Sequence, residues 1–185
     1  MQATRIDTRL DGPVLIEAEA FGDSRGFFME TFRSSVLSEL GIAHEWVQDN
    51  HSRSARGVVR GMHFQVGGGQ AKLVRCAHGS IVDVVVDLRR GSDTHGEWEA
   101  FELSDANRRI IYCPIGFAHG FCVTSEMADV VYKCSSYYDG SIERGIAHDD
   151  PDVGIEWPSL ELVVSERDAA APRLRDVAEE LPFSV

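Results

Sequence analysis

Gly57-Val58-Val59-Arg60-Gly61-Met62-His63-Phe64-Gln65 decides how this chain is read, together with Pro114-Ile115-Gly116-Phe117-Ala118-His119-Gly120-Phe121. Each is a short, β-prone, glycine-punctuated run that carries one histidine. A transition-metal site built on His63 would want further strong ligands close by. Here Gln65 stands two residues on, and the first charged residue that follows is Lys72. Gln is a poor transition-metal ligand, and an ammonium group repels a metal cation. His63 with Lys72 and Arg60 suits a metal-free site that removes a proton and stabilises the anion left behind.

Outward from these runs, the chain is a succession of short strands and turns. Residues 13–20, 26–33 and 57–65 read as strands. Residues 34–40 read as a short helix closed by Gly41, with Ser34 or Ser35 as N-cap. Residues 71–77 and 81–88 read as a hairpin across His78-Gly79-Ser80. Residues 98–103, 109–113, 119–124 and 129–137 continue the pattern. Val82, Val84, Val86 and Leu88 share one face by alternation, and Asp83, Val85 and Asp87 take the other. Residues 165–180 look loosely helical and are expected outside the strands. Many short strands with glycine-rich turns and no long helical pattern indicate an all-β sandwich or barrel. The length of 185 residues fits a single domain, 1–185.

The net charge of −12 argues against a nucleic-acid partner, which would draw on a basic footprint. It leaves room for an anionic small molecule, because Arg53, Arg56, Arg60, Lys72 and Arg75 concentrate positive charge locally. Lys72 and Lys133 are the only lysines among 18 basic residues, so a lysine at 72 asks for a reason. No apolar stretch approaches a membrane span, and the N-terminus has no apolar signal core, so a cytoplasmic location is expected. Cys76, Cys113, Cys122 and Cys134 form no C-x-x-C pair, and the three in apolar, strand-like runs are expected as buried free thiols.

The two opening stretches resemble the signature motifs of cupins, which favours an all-β cupin jelly-roll barrel with a few short peripheral helices. Further stretches extend the resemblance: R-G-x-F-x-E at 25–30, Q-D-N-x-S at 48–52, K-L-V-R at 72–75, D-V-x-V-D-x-R at 83–89 and G-I-x-W-P at 154–158. With R-G-x-H at 60–63 and G-F-A-H-G-F at 116–121, this ordered set resembles the dTDP-4-dehydrorhamnose 3,5-epimerase family from about Gly12 to Asp168.

The resemblance implies a nucleotide-linked 4-keto-6-deoxyhexose substrate. The ketone acidifies the protons on both neighbouring carbons. Removing one gives an enolate, and reprotonation on the opposite face inverts the centre. His63 is then the base, and Asp168 orients it and raises its basicity. Tyr132 is the acid on the other face, and Lys72 stabilises the enolate oxygen. Arg60 binds the pyrophosphate. Arg25, Glu30, Gln48, Asp49 and Asn50 hold nucleotide and sugar, and His119, Glu143 and Arg167 match further substrate contacts. Arg167 stands where the family often has lysine. No metal and no cofactor is implied. The strand bearing Arg25 and Glu30 is implied to serve a partner subunit's site in a homodimer.

Taken alone, several of these residues have plainer readings. His63 could be a structural histidine in a strand, Tyr132 a packed core residue, and Asp168 a helix cap or a solvated surface acid. Gln48-Asp49-Asn50 could be a turn. The other histidines, His44, His51, His78, His95 and His148, lack ligand spacing and read as surface or structural. Rival functions are an epimerase inverting only one centre, a non-catalytic sugar-nucleotide-binding cupin, and a metal-dependent cupin oxygenase, the last disfavoured by the missing His-x-His.

Overall fold

The computed structural model describes residues 1–185. In chain order the strands are β1 (Ala3–Ile6), β2 (Val14–Ala18), β3 (Ala20–Asp23), β4 (Gly26–Met29), β5 (Gln48–Ala55), β6 (Val58–Gln65), β7 (Lys72–His78) and β8 (Ser80–Asp87). They continue with β9 (Trp98–Ser104), β10 (Arg109–Cys113), β11 (Phe117–Val123), β12 (Met127–Cys134), β13 (Glu143–Gly145) and β14 (Val163–Val164). Three short helices are peripheral: α1 (Ser34–Glu39), α2 (Glu166–Ala169) and α3 (Leu174–Val177).

Two sheets face each other. One runs β1-β2-β10-β7-β12-β5 and the other β13-β6-β11-β8-β9, with β14 added in parallel to the start of β6. The result is a jelly-roll sandwich whose sheets do not close into a continuous barrel. Between the sheets lie Leu15, Val74, Val85, Ile111, Phe117, Phe121 and Val130. Outside the second sheet, Val84, Val86, Leu88 and Ala118 pack under Leu174, Leu181 and Phe183 of the C-terminal segment. Outside the first sheet, Ile16, Leu73 and Ile110 pack under Leu37 and Ile42. Strands covered on both faces read as continuous apolar runs, which accounts for Ile81–Leu88.

The expected hairpin between residues 71–77 and 81–88 does not form. β7 and β8 belong to opposite sheets, and the His78-Gly79-Ser80 turn carries the chain from one to the other. Each strand is already flanked on both sides, β7 by β10 and β12, β8 by β11 and β9, so neither has a free edge for the other. At α1, Arg33 rather than a serine occupies the N-cap, and no side chain caps it. The helix is held instead by burial of Leu37. The possible turn at Gln48-Asp49-Asn50 is strand, paired along its whole length with β12. All four cysteines are buried free thiols, one more than expected.

Candidate active site

The geometry of the candidate site begins with a break in strand register. In β6 and β11, His63 pairs with His119, and Arg60 pairs with Phe121. Three steps on β6 therefore match two on β11, a β-bulge at Gly61-Met62. Strict alternation would send Arg60 and His63 to opposite faces; the extra residue turns both inward. The bulge needs glycines. Gly61 has φ 127°, and a Cβ there would lie 2.5 Å from the Cα of Gly120. A Cβ on Gly120 would meet the carbonyl oxygen of Arg60 at 2.8 Å. The glycines of the R-G-x-H and H-G sequences thus let two backbones touch where the two histidines emerge.

His63 and Asp168 form a close pair, with Nε2 to Oδ1 at 2.7 Å. Asp168 is buried in α2, where Ser165 accepts its backbone N–H at 3.1 Å and so caps the helix. The cap is therefore Ser165, which frees the Asp168 carboxylate for the imidazole. Its other oxygen accepts the backbone N–H of Gly61 at 3.4 Å. The carboxylate fixes a proton on Nε2, leaving the lone pair on Nδ1 free.

The resemblance implies that Asp168 raises the basicity of His63, and it pulls in that direction. Burial pulls harder the other way, and the Lys72 charge adds to burial, so the imidazole lies below its ordinary value of 6.5. His63 is therefore neutral at neutral pH. We expect kcat/KM to hold steady through neutrality and to fall only as pH drops below the usual histidine range. An acid limb with its midpoint above 6.5 in a pH-rate profile would show that the Asp168 contribution dominates. The same depression costs stability in acid: the unfolded chain takes up the proton first, so stability declines as pH falls through the unfolded value.

Arg60, His63, Lys72, His119, Tyr132 and Asp168 all line one cleft of about 490 Å³. Its walls come from both sheets. Lys72 of β7 is half-buried and lies between Cys113 and Cys134 in register. It makes no ion pair, whereas the other lysine, Lys133, points away and binds Asp49 at 2.9 Å and the face of Phe32. Tyr132 of β12 is half-buried, and burial raises its hydroxyl above the usual tyrosine value, so it carries its proton. A neutral base, a free cation and a protonated phenol thus face one space. A second cavity of about 360 Å³ lies on the other side of the dyad, walled by Glu143, Gly145, Ala171 and Leu181, without Lys72 or Tyr132.

His119 is buried and bonds through Nε2 to Asp83 Oδ2 at 2.8 Å, a second His–Asp pair beside the first. The sequence reading missed Asp83, although alternation had put an aspartate on the same face as Val85, where a strand between two sheets has no use for a charge. It also missed Tyr138, whose hydroxyl donates at 3.0 Å to Glu143, a residue of the second cavity's wall. Glu143 accepts from Arg167 as well, tying β13 to α2.

The remaining expected residues divide. Gln48 and Asn50 bond each other at 3.1 Å, and Asn50 reaches the interior Cys134. Asp49, between them, points to the opposite face and pairs with Lys133. Arg25 lies on the exposed β3–β4 hairpin and binds Asp23. Glu30 holds Arg33 and the N-terminal amine. Neither Arg25 nor Glu30 lines the cleft of its own chain.

Comparison with known proteins agrees with this arrangement. Residues 7–176 match the family model described as dTDP-4-dehydrorhamnose 3,5-epimerase. A relative of that name from Methanothermobacter thermautotrophicus is 49% identical over 174 residues, covering 92% of this chain and 94% of the relative. A dTDP-4-dehydrorhamnose 3-epimerase from Streptomyces niveus is 41% identical, covering 92% and 83%. The crystal structure of dTDP-6-deoxy-D-glucose-3,5-epimerase from Legionella pneumophila, in complex with dTDP-4-keto-L-rhamnose, superposes with a TM-score of 0.96. It is 44% identical and covers 100% of both chains. Sequence, fold and similarity along the whole chain place this protein in the dTDP-4-dehydrorhamnose 3,5-epimerase family.

Proposed function

We propose that this chain is an isomerase that epimerises dTDP-4-keto-6-deoxyglucose at C3 and C5, giving dTDP-4-keto-L-rhamnose. One observation carries the reading: in a chain of this family, the His63–Asp168 pair, unpaired Lys72 and protonated Tyr132 converge on one cleft. His63 Nδ1 takes the proton from a carbon beside the ketone. The electron pair moves onto the ketone oxygen as an enolate, which the Lys72 ammonium stabilises inside the cleft. Tyr132 returns a proton to the opposite face, and the centre is inverted. No redox change occurs, so no cofactor is called for.

Arg60 on the open side of the cleft suits the pyrophosphate, with Gln48, Asn50, His119, Glu143 and Arg167 holding nucleotide and sugar. Arg25, Glu30 and Asp49 fit a second copy better than their own. The β3–β4 hairpin exposes Phe21, Phe27 and Phe28 beside Arg25, an apolar surface that a homodimer with shared sites would cover. The chain acts as one domain. No helix is long and apolar enough to cross a membrane, which fits the proposed cytoplasmic location.

The Streptomyces niveus relative is named for C3 alone, so inversion of a single centre is the competing reading. Incubation with dTDP-4-keto-6-deoxyglucose in deuterated water separates the cases. Deuterium at both carbons of epimerised product is the expected result. Label at one carbon identifies a monoepimerase, and no label identifies a binder. For the acid, Tyr132→Phe should lower the yield of epimerised product by at least about a hundredfold while leaving ligand affinity nearly unchanged. Equal losses in both would make Tyr132 a packing or binding residue.

A further inference from the structure

The side chains of Asp83, Cys113 and His119 meet in the interior, each from a different strand, and of the three only His119 lines the cleft. One ligand atom from each lies within 4.8 Å of the other two, and all three residues are buried. The mechanism above uses His119 only as a substrate contact and makes no use of Cys113. Asp83 is fully buried, and its Oδ1 has no hydrogen-bond partner, although Oδ2 receives His119. A buried carboxylate oxygen left unpartnered is costly and is the kind of group a cation satisfies.

We infer that Asp83, Cys113 and His119 form a binding site for a soft divalent cation, zinc or cadmium, whose occupancy shuts the epimerase off. The donor set is carboxylate oxygen, thiolate sulfur and imidazole nitrogen, a mixture zinc takes in tetrahedral sites with three protein ligands. The ion enters along the cleft, which His119 lines. On binding, the Cys113 thiol loses its proton to solvent, and the His119 Nε2 proton moves to Nδ1. Two ligand anions then neutralise the two charges of the ion, so the buried site carries no net charge. Lys72 neighbours Cys113 across the β7–β10 ladder, so its ammonium lies near the ion and weakens binding without abolishing it. This site differs from the position beside His63 where Gln65 and Lys72 disfavour a metal. An ion here inhibits because it takes His119 away from substrate and places a second cation beside Lys72, repelling it from the position an enolate needs.

Cadmium titration of the purified protein, without substrate, reads the site directly. The expected result is a thiolate-to-cadmium charge-transfer band saturating at one ion per chain in the unaltered protein and absent in Cys113→Ala. In the epimerase assay, zinc should inhibit, a chelator should restore activity, and Cys113→Ala should need at least about tenfold more zinc for the same inhibition. Asp83→Asn should weaken the cadmium band in the same way. A band that persists in Cys113→Ala, or no band in the unaltered protein, overturns the inference. A thermal melt checks that each variant is folded, and Cys113→Val serves if Cys113→Ala leaves a damaging hole. The inference rests on the proposed epimerase reading only through the inhibition assay. The cadmium band needs no substrate, so failure of that reading would leave the band intact.

Discussion

His63→Ala should abolish hydrogen exchange with solvent at both carbons beside the ketone, with nucleotide affinity nearly intact. General-base catalysis contributes about two to four orders of magnitude, so kcat should fall by that factor. The pair with Asp168 is what makes the expectation specific. The carboxylate that holds the imidazole is buried and itself fixed, its backbone capped by Ser165 and its second oxygen bound to the bulge at Gly61. Truncating the histidine removes the base and leaves a buried carboxylate without its principal partner. A loss of stability is therefore expected beside the loss of rate. His63→Asn, which can still donate a hydrogen bond to Asp168, separates the two effects. It should recover much of the thermal stability and none of the exchange. Proton NMR of the substrate in deuterated water gives the exchange rate. Exchange near the unaltered rate in either variant would remove His63 from the role of base.

How much of this was legible in the sequence depends on what each feature needs. The strands around His63 and His119 were readable because β-prone runs and glycine punctuation are local. The bulge that turns Arg60 and His63 to the same face was not, because it exists only where Gly61 meets Gly120 from a distant strand. Sheet membership was misread at residues 71–88. A short turn with glycine looks the same whether it closes a hairpin or crosses between sheets, and only the neighbours competing for each strand edge decide it. The direction of the His63 shift was also hidden. Sequence can name a carboxylate partner, but burial, the larger influence, is a property of the assembled cleft. Asp83 left a local trace, an aspartate at an inward position between valines, whose meaning needed His119 and Cys113 brought beside it.

Lys72→Met should keep most of the side-chain stem and delete the charge, and the loss should fall on turnover rather than on binding. Removing one oxyanion-stabilising donor costs about two to three orders of magnitude in kcat. Lys72 is placed for that role by contrast with Lys133: both are partly buried, yet Lys133 is neutralised by Asp49 while Lys72 faces the cleft without a counter-ion. An unpaired ammonium there acts on any anion formed within reach. It already pushes the His63 imidazole towards its neutral form. Lys72→Met should therefore shift the acid limb of the pH-rate profile to higher pH, an effect that lost packing would not produce. Lys72→Arg should rescue only part of the rate, because a planar fork cannot set a compact charge at the same point. Added zinc, manganese or iron should fail to restore Lys72→Met, since Gln65 leaves the position beside His63 without a ligand set. The opposite pattern, activity of the unaltered protein lost to a chelator and regained with metal, would overturn the assignment of Lys72 as the electrophile.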